Sequence, residues 1–392
     1  MEGDPRDVTA LYVALTALFS GLVIHKLAKN KVKIENASLW GLQSLMLLEL
    51  FCYFVFPALL GAIIFIVACA LYYVALPVRE MLPTPGKTVL VTGCDSGFGH
   101  ALAKYLDEQG VLVFAGVLDK NGPGAVELRR FCSSKLCLIQ LDVTNSGEIE
   151  AAYQEINRQV QDSGLWGIVH NAGILGYAAD GELLPVSFYK QSMEVNFFGV
   201  VGVTRMFLPL LRRSRGRLVA MCSLAGDCPI PGFAAYAATK AALSMFSAVM
   251  RQDLLKWGVK VSTIHPSGFK TNIFGSQEYL SSQTQKILES ITPDVREDYG
   301  DDYLVALKDL HHEMFTTSSS DLSPVLEDVF HALLARHPHP SYSPGRFAYF
   351  IPCLFRYFPS WVYDTFSKKT FNYHRTILPK SLRISNNNNK TD

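Results

Sequence analysis

Val89-Leu90-Val91-Thr92-Gly93-Cys94-Asp95-Ser96-Gly97-Phe98-Gly99 passes from an apolar run into a glycine turn, and His100 to Gln109 continues as a helical pattern. Val89 to Thr92 predicts a strand. The turn has the form Thr-Gly-x-x-x-Gly-x-Gly. Glycine is required where a turn takes positive φ and where backbone must approach a pyrophosphate. The helix behind such a turn points free N–H groups at phosphates. A glycine-rich turn alone is weak evidence; a strand before it and a helix after it give it weight. Thr92, Gly93, Asp95, Ser96, Gly97, Phe98 and Gly99 are therefore candidate dinucleotide-binding residues.

Beyond this stretch the same alternation continues. Strands are predicted at Val111 to Gly116, Leu136 to Leu141, Gly167 to His170, Arg217 to Ser223 and Lys260 to His265, and a long helix at Tyr236 to Lys256. The alternation predicts an α/β fold, a doubly wound parallel sheet of Rossmann-like form. Ligands of such sheets bind beyond the carboxyl ends of the strands. The glycine turn, Asp142 with Val143, the group Asn171-Ala172-Gly173, Ser223, and Pro266-Ser267-Gly268 with Thr271 all fall at or just after those ends. An acid at Asp142 can accept from an adenine amino group; its bland alternative is a turn or cap residue. Asn171 can bridge backbone groups. Thr271 can reach a carboxamide, against the alternative of an ordinary turn. Asp119, near the end of the second strand, is the candidate acid for ribose hydroxyls, which selects NAD over NADP.

Tyr236 and Lys240 lie four residues apart, with Ser223 thirteen residues upstream of the tyrosine. Residues at i and i+4 share a helix face. An ammonium beside a phenol is expected to lower a tyrosine pKa of ~10, and a tuned phenol can take a proton from a substrate hydroxyl. Ser223 and Tyr236 are the candidate substrate contacts. Asn196, in Glu194-Val195-Asn196-Phe197-Phe198-Gly199, sits in an apolar helical run; it is read either as a satisfied core amide or as the residue ordering a proton relay behind Lys240. Tyr-x-x-x-Lys by itself is usually only a helix face. The serine at a strand end and the glycine turn upstream make chance a poor account.

The chain has 392 residues and a formal net charge of +1, which calls for no nucleic acid. Hydrophobic residues make up 49%, with much of the excess before position 77. Residues 1–82 are read as a membrane anchor with spans at 8–24, 39–56 and 58–76, since about twenty apolar residues cross the hydrocarbon layer. Residues 83–345 are the nucleotide-binding domain, entered through Pro83-Thr84-Pro85-Gly86. Residues 346–392 are an aromatic-rich extension and polar tail. Lys26, Lys29, Lys31 and Lys33 place the first loop in the cytosol by the positive-inside rule. Two further spans then return the domain to the cytosol, whereas one would place it in the lumen. The sequons at Asn36 and Asn389 are short patterns with a high chance rate. Eight scattered cysteines without a Cys-x-x-Cys pair predict reduced thiols and no metal site. Asn272 to about Tyr299 shows no clear periodicity and is read as a substrate lid. Phe347 to Phe366 is read either as a segment on the bilayer surface or as a buried carboxyl-terminal or dimer contact.

From about Lys87 to Gly345 the chain resembles the short-chain dehydrogenase/reductase family. That resemblance implies a seven-stranded parallel sheet, NAD or NADP, and catalytic Asn196, Ser223, Tyr236 and Lys240, with Tyr236 and Lys240 also touching the cofactor. It matches Gly93, Gly97 and Gly99 to the cofactor turn, Asp142 to the adenine contact and Asn171 to the strand-end asparagine; dimerisation through the helices bearing Asn196 and Tyr236 is a family expectation. Two departures stand out: His170, where the family more often has Asn, and Ser267, where it usually has Gly. The segments Leu118–Ala125, Asp180–Leu184, Asn196–Gly199 and Glu297–Tyr303 are similar to membrane-bound steroid-oxidising members. This implies NAD-dependent oxidation of the 17-beta hydroxyl of estradiol and testosterone in the endoplasmic reticulum membrane, inactivating the hormone. Oxidation of the 11-beta hydroxyl of glucocorticoids competes, through the Gly-Cys-Asp-Ser-Gly-Phe-Gly turn and Trp166-Gly167; retinol oxidation is third. A catalytically inactive membrane scaffold predicts a broken catalytic group, and none is broken.

Overall fold

The structure, a computed structural model, describes residues 5–29, 36–75, 80–371 and 378–383. Lys31, Lys33 and the Asn386–Asn389 tail with its sequon lie outside them. The chain divides into two compact units, Met1–Met81 and Leu82–Asp392.

The first unit holds three helices, α1 (Pro5–Lys29), α2 (Asn36–Val55) and α3 (Ala58–Ala75). Val8–Lys26 and Ala58–Ala75 are long and apolar enough to cross a membrane; the apolar part of α2, Gly41–Val55, is shorter. Tyr12, Cys52, Ala62 and Phe65 are buried together between the helices. Gly61 makes the approach possible: a Cβ there would stand 2.7 Å from the Cys52 carbonyl oxygen, the use of small residues expected between apolar helices.

In the second unit seven strands form one sheet: β1 (Thr88–Val91), β2 (Leu112–Val117), β3 (Leu136–Gln140), β4 (Gly167–His170), β5 (Arg217–Met221), β6 (Lys260–Ile264) and β7 (Ser341–Tyr342). Their order is β3-β2-β1-β4-β5-β6-β7, and every pair is parallel. The doubly wound fold expected from the alternation is the one found. The strands are apolar throughout because both faces are covered. Val89 and Val91 face one core with Leu102 and Leu106 of α4 (Gly97–Glu108), while Leu90 faces the other with Ile149 and Ile156 of α6 (Ser146–Val160). Between them in the chain lies α5 (Pro123–Phe131).

From Val186 to Ser214 the chain is helical without a break: α7 (Val186–Met193), a π-helical turn Glu194–Phe198, and α8 (Gly199–Ser214). Its length and composition would suit a membrane span, but Val203 and Phe207 bury themselves against the sheet. The catalytic-face helix is α9 (Ala234–Asp253). Asn272–Tyr299, which shows no clear period in the sequence, is largely helical, in α10 (Gln277–Ser290) and α11 (Pro293–Tyr299), followed by α12 (Asp301–Thr317). The reason is visible on α10: Gln283 and Thr284 occupy buried positions beside Leu280 and Ile287, so the apolar period is broken in the sequence. Thr284 Oγ1 is satisfied by the Tyr177 hydroxyl at 3.0 Å. The chain closes with α13 (Ser323–Leu334), β7, α14 (Phe350–Tyr357) and α15 (Ser360–Thr370). All eight cysteines are free.

Candidate active site

The strand order reverses between β1 and β4, and a cleft opens beyond their carboxyl ends. Gly93 and Gly97 take φ of +70° and +59°. A Cβ on Gly99 would stand 2.2 Å from the Gly93 carbonyl oxygen, so the turn closes only with glycine there. Asn171 ties the two strands together: its side-chain amide donates to the carbonyls of Thr92 (2.9 Å) and Gly93 (3.0 Å). The hydroxyl of Thr92 accepts from the N–H groups of Asn171 and Ala172. Thr92 is thus buried and spent on the scaffold, which corrects its expected contact with cofactor.

The cleft has a volume of about 760 Å³. Of the expected cofactor residues, Gly93, Asp95, Ser96, Gly97 and Phe98 line it from the turn, Asp142 and Val143 from the end of β3, Asn171, Ala172 and Gly173 from the end of β4, and Thr271 from beyond β6. Ser96 precedes α4 without capping it through its side chain, so the first-turn N–H groups stay available to an anion. A bare glycine wall, the donor N–H groups of a helix amino terminus and an accepting carboxylate at a strand end are the set a dinucleotide requires, and the site fits one. Asp119 does not line the cleft; its carboxylate accepts from the Asn121 N–H at 2.8 Å and shapes a turn. The acid on the wall beside Leu118 is Asp95, which accepts from the Leu118 N–H at 2.9 Å. Pro266 and Gly268 also lie off the wall. The Pro266 carbonyl accepts from Leu224 N–H and braces the catalytic loop, and Gly268 lies against Ser318. The unusual Ser267 fits because its neighbour is a glycine: a Cβ on Gly345 would come 2.1 Å from the Ser267 hydroxyl.

Ser223, Tyr236 and Lys240 do not themselves line this cleft; Tyr236 and Lys240 lie behind its Leu175 and Gly173 wall. β5 stops at Met221, short of its expected end, and Ser223 continues extended into a 3₁₀ turn, Leu224–Gly226. Burial pushes the Tyr236 phenol up to about 12, an effect the nearby Ser223 hydroxyl partly offsets. The Lys240 ammonium donates to the Met221 carbonyl at 2.8 Å and lies 5.6 Å from the Tyr236 ring centre. Burial lowers Lys240 to about 8. The expected depression of the phenol by its cationic neighbour is therefore absent here: desolvation of both groups outweighs their mutual effect. Gly173 and Leu175 join these groups to the cleft. Gly173 lines it with Lys240 Nζ directly behind, 3.4 Å from where a Cβ would be, and Leu175 packs in one apolar cluster with Tyr236.

Asn196 sits on the π-turn, fully buried. Its Oδ1 accepts from Ile174 N–H (2.8 Å), and its Nδ2 donates to the Ile174 carbonyl (2.9 Å) and to Thr239 Oγ1 (3.0 Å). The amide is committed to the loop that follows β4, so its side chain positions that loop rather than holding water. Thr239, one residue before Lys240, was not legible as a site residue. Its hydroxyl accepts from Asn196 and donates to the Tyr236 carbonyl at 2.7 Å. His170 pairs through Nε2 with Thr204 Oγ1 at 2.9 Å, its Nδ1 has no partner, and burial lowers its pKa to about 3. The departure at 170 is thus a neutral imidazole bonded to α8.

The short chain dehydrogenase family matches residues 87–279. Human 17-beta-hydroxysteroid dehydrogenase type 2 is 45% identical over 381 residues, 97% of each chain. The chain belongs to the short chain dehydrogenase family. Like other members of the family, it is an oxidoreductase. Bovine 11-beta-hydroxysteroid dehydrogenase type 2 is 42% identical, over 74% of this chain and 72% of its own. A solved short-chain dehydrogenase from Streptomyces avermitilis, 22% identical, overlays 74% of this chain and 98% of its own with a TM-score of 0.56, a likeness of fold.

Proposed function

We propose that this protein oxidises the 17-beta hydroxyl of steroids such as estradiol and testosterone, with NAD as acceptor. The observation that carries this is the identity of 45% running through 97% of the chain, anchor and extension included, to a relative named for that position. The 11-beta relative is similar over less of the chain. NAD, rather than NADP, is supported by the Asp95 carboxylate, which reaches from the glycine turn to the Leu118 N–H just beyond β2 and stands on the cleft wall, where an acid accepts from ribose hydroxyls and repels an added phosphate.

A bound nicotinamide dinucleotide supplies the two-electron acceptor. Ser223 and Tyr236, close enough that the serine hydroxyl lowers the phenol's pKa, hold the substrate hydroxyl between them. Tyr236 takes its proton at the phenol oxygen. Tyr236 therefore acts as the phenolate, and Lys240, fixed on the Met221 carbonyl, favours the negative charge that the ring oxygen carries before it takes the proton. Asn196 and Thr239 keep the loop and helix in register. The apolar end near Leu175, Ile273 and Phe274 excludes water from these groups. Membrane insertion of α1 to α3, with the second unit on the cytosolic face of the endoplasmic reticulum, shortens the route of a lipid-soluble substrate. A homodimer through α8 and α9 follows family practice.

The test is appearance of NADH from estradiol, testosterone, an 11-beta-hydroxylated glucocorticoid and retinol, with membranes containing the full chain. NADH from the first two is expected. A response confined to the glucocorticoid or to retinol would overturn the substrate, and equal rates with NADP would overturn the coenzyme choice.

A further inference from the structure

A second cavity of about 420 Å³ lies behind the catalytic serine's strand end, between α9, the β6–β7 edge and α14. It shares no lining residue with the dinucleotide cleft. Two guanidinium groups face it, Arg251 from α9 and Arg356 from α14. Neither makes a hydrogen bond or ion pair among the described residues. Ser247, 1% exposed, also lines the cavity, and its hydroxyl has no partner among the described residues. The sole carboxylate on the wall, Asp227, stands 2.5 Å from His265 Nδ1.

We propose that this cavity binds a phosphate ester. Two uncommitted forks of N–H donors and a buried hydroxyl present far more donors than acceptors, the complement of a group with several anionic oxygens. Leaving a buried hydroxyl unused has a cost that such a ligand removes, and the two arginines supply the charge that draws it in. The volume exceeds what inorganic phosphate fills, which favours an ester with carbon attached. Tyr357, exposed at the mouth, borders the path to solvent. A soluble phosphate ester and a phospholipid headgroup share this chemistry.

The experiment uses the full chain, saturated with NAD so that the cleft is filled. In an uncharged detergent, glycerol 3-phosphate is titrated against glycerol while the thermal midpoint is followed, since a ligand of the folded state raises it. In parallel, nanodiscs of phosphatidylcholine are compared with nanodiscs carrying phosphatidic acid as well. A saturable rise with glycerol 3-phosphate identifies a soluble ester; a rise only with phosphatidic acid identifies a headgroup. Either supports the site, provided Arg251→Gln and Arg356→Gln each weaken the response about tenfold or more and Ser247→Ala weakens it by less. If Arg251→Gln fails to fold, the exposed Arg356→Gln carries the test. No rise in either arm, an undiminished rise in the arginine variants, or variants that alter only the assembly mass would overturn the proposal. The readout is thermal, so it stands or falls apart from the steroid assignment.

Discussion

At the scale of the residue, the site turns on a phenol that burial makes less acidic and a lysine that burial makes less basic. Tyr236→Phe removes the proton acceptor while leaving the ring. Turnover is expected to fall about 10²- to 10⁴-fold, with the NAD-induced rise in thermal midpoint retained; substantial residual turnover would remove the tyrosine from its role. Because the acceptor works as phenolate, kcat/KM for oxidation is expected to climb with pH and to bend near 8, where Lys240 loses its charge. Lys240→Arg, charged at all accessible pH, should move the bend upward; a flat profile would contradict the assignment. His170 gives a stability signature. Its folded pKa of about 3 lies below the ordinary 6.5, so the unfolded chain binds more protons between those values. Folding stability is therefore expected to fall as pH drops from 6.5 towards 3, at up to about 1.4 kcal/mol per pH unit. His170→Asn should flatten that slope in denaturation midpoints taken across the window. The Ser, Tyr and Lys spacing was legible because it follows from one helix and one strand end. The sign of the phenol's shift was not, because it depends on how much protein surrounds both groups.

At the scale of the element, the π-turn at Glu194–Phe198 is where local geometry serves the site. It places Asn196 against both the Ile174 backbone and Thr239 of α9, so three segments meet at one amide. Thr239→Val keeps the shape and deletes the hydroxyl, leaving the Asn196 amide short of a partner. A loss of about 1–3 kcal/mol in stability is expected, with a larger effect on KM for NAD than that of a surface substitution in α9. Unchanged values in both would show that the loop does not depend on this bond. The strands and α9 were readable from their apolar runs, and the glycine turn from its residues. Helix α10 was not, because Gln283 and Thr284 fill positions that apolar residues usually take. Asp119 misled for a related reason: a carboxylate just after a strand looks the same in sequence whether it faces a ligand or, as here, closes a turn.

At the scale of the whole molecule, the extension after the sheet does more than fill a surface. Ile351 and Leu354 of α14 and Tyr363 of α15 are buried against Leu224 and Cys228, in and just beyond the turn that follows Ser223. The Tyr363 hydroxyl donates to the Pro229 carbonyl. The opposite side of this segment exposes Phe350, Phe355, Phe358 and Trp361, so the reading of Phe347 to Phe366 as a buried segment holds for its inner face alone. Removing everything after Gly345 should leave NAD binding in place and cut turnover sharply, read as an NAD-induced thermal rise without NADH production; full turnover would show that the turn holds itself. The order of synthesis gives this contact a further meaning. A ribosome will already have released the glycine turn, the strands and α9 before residues 351–363 emerge. The serine's support thus arrives only after the dinucleotide cleft has emerged, so the two parts of the site are made one after the other.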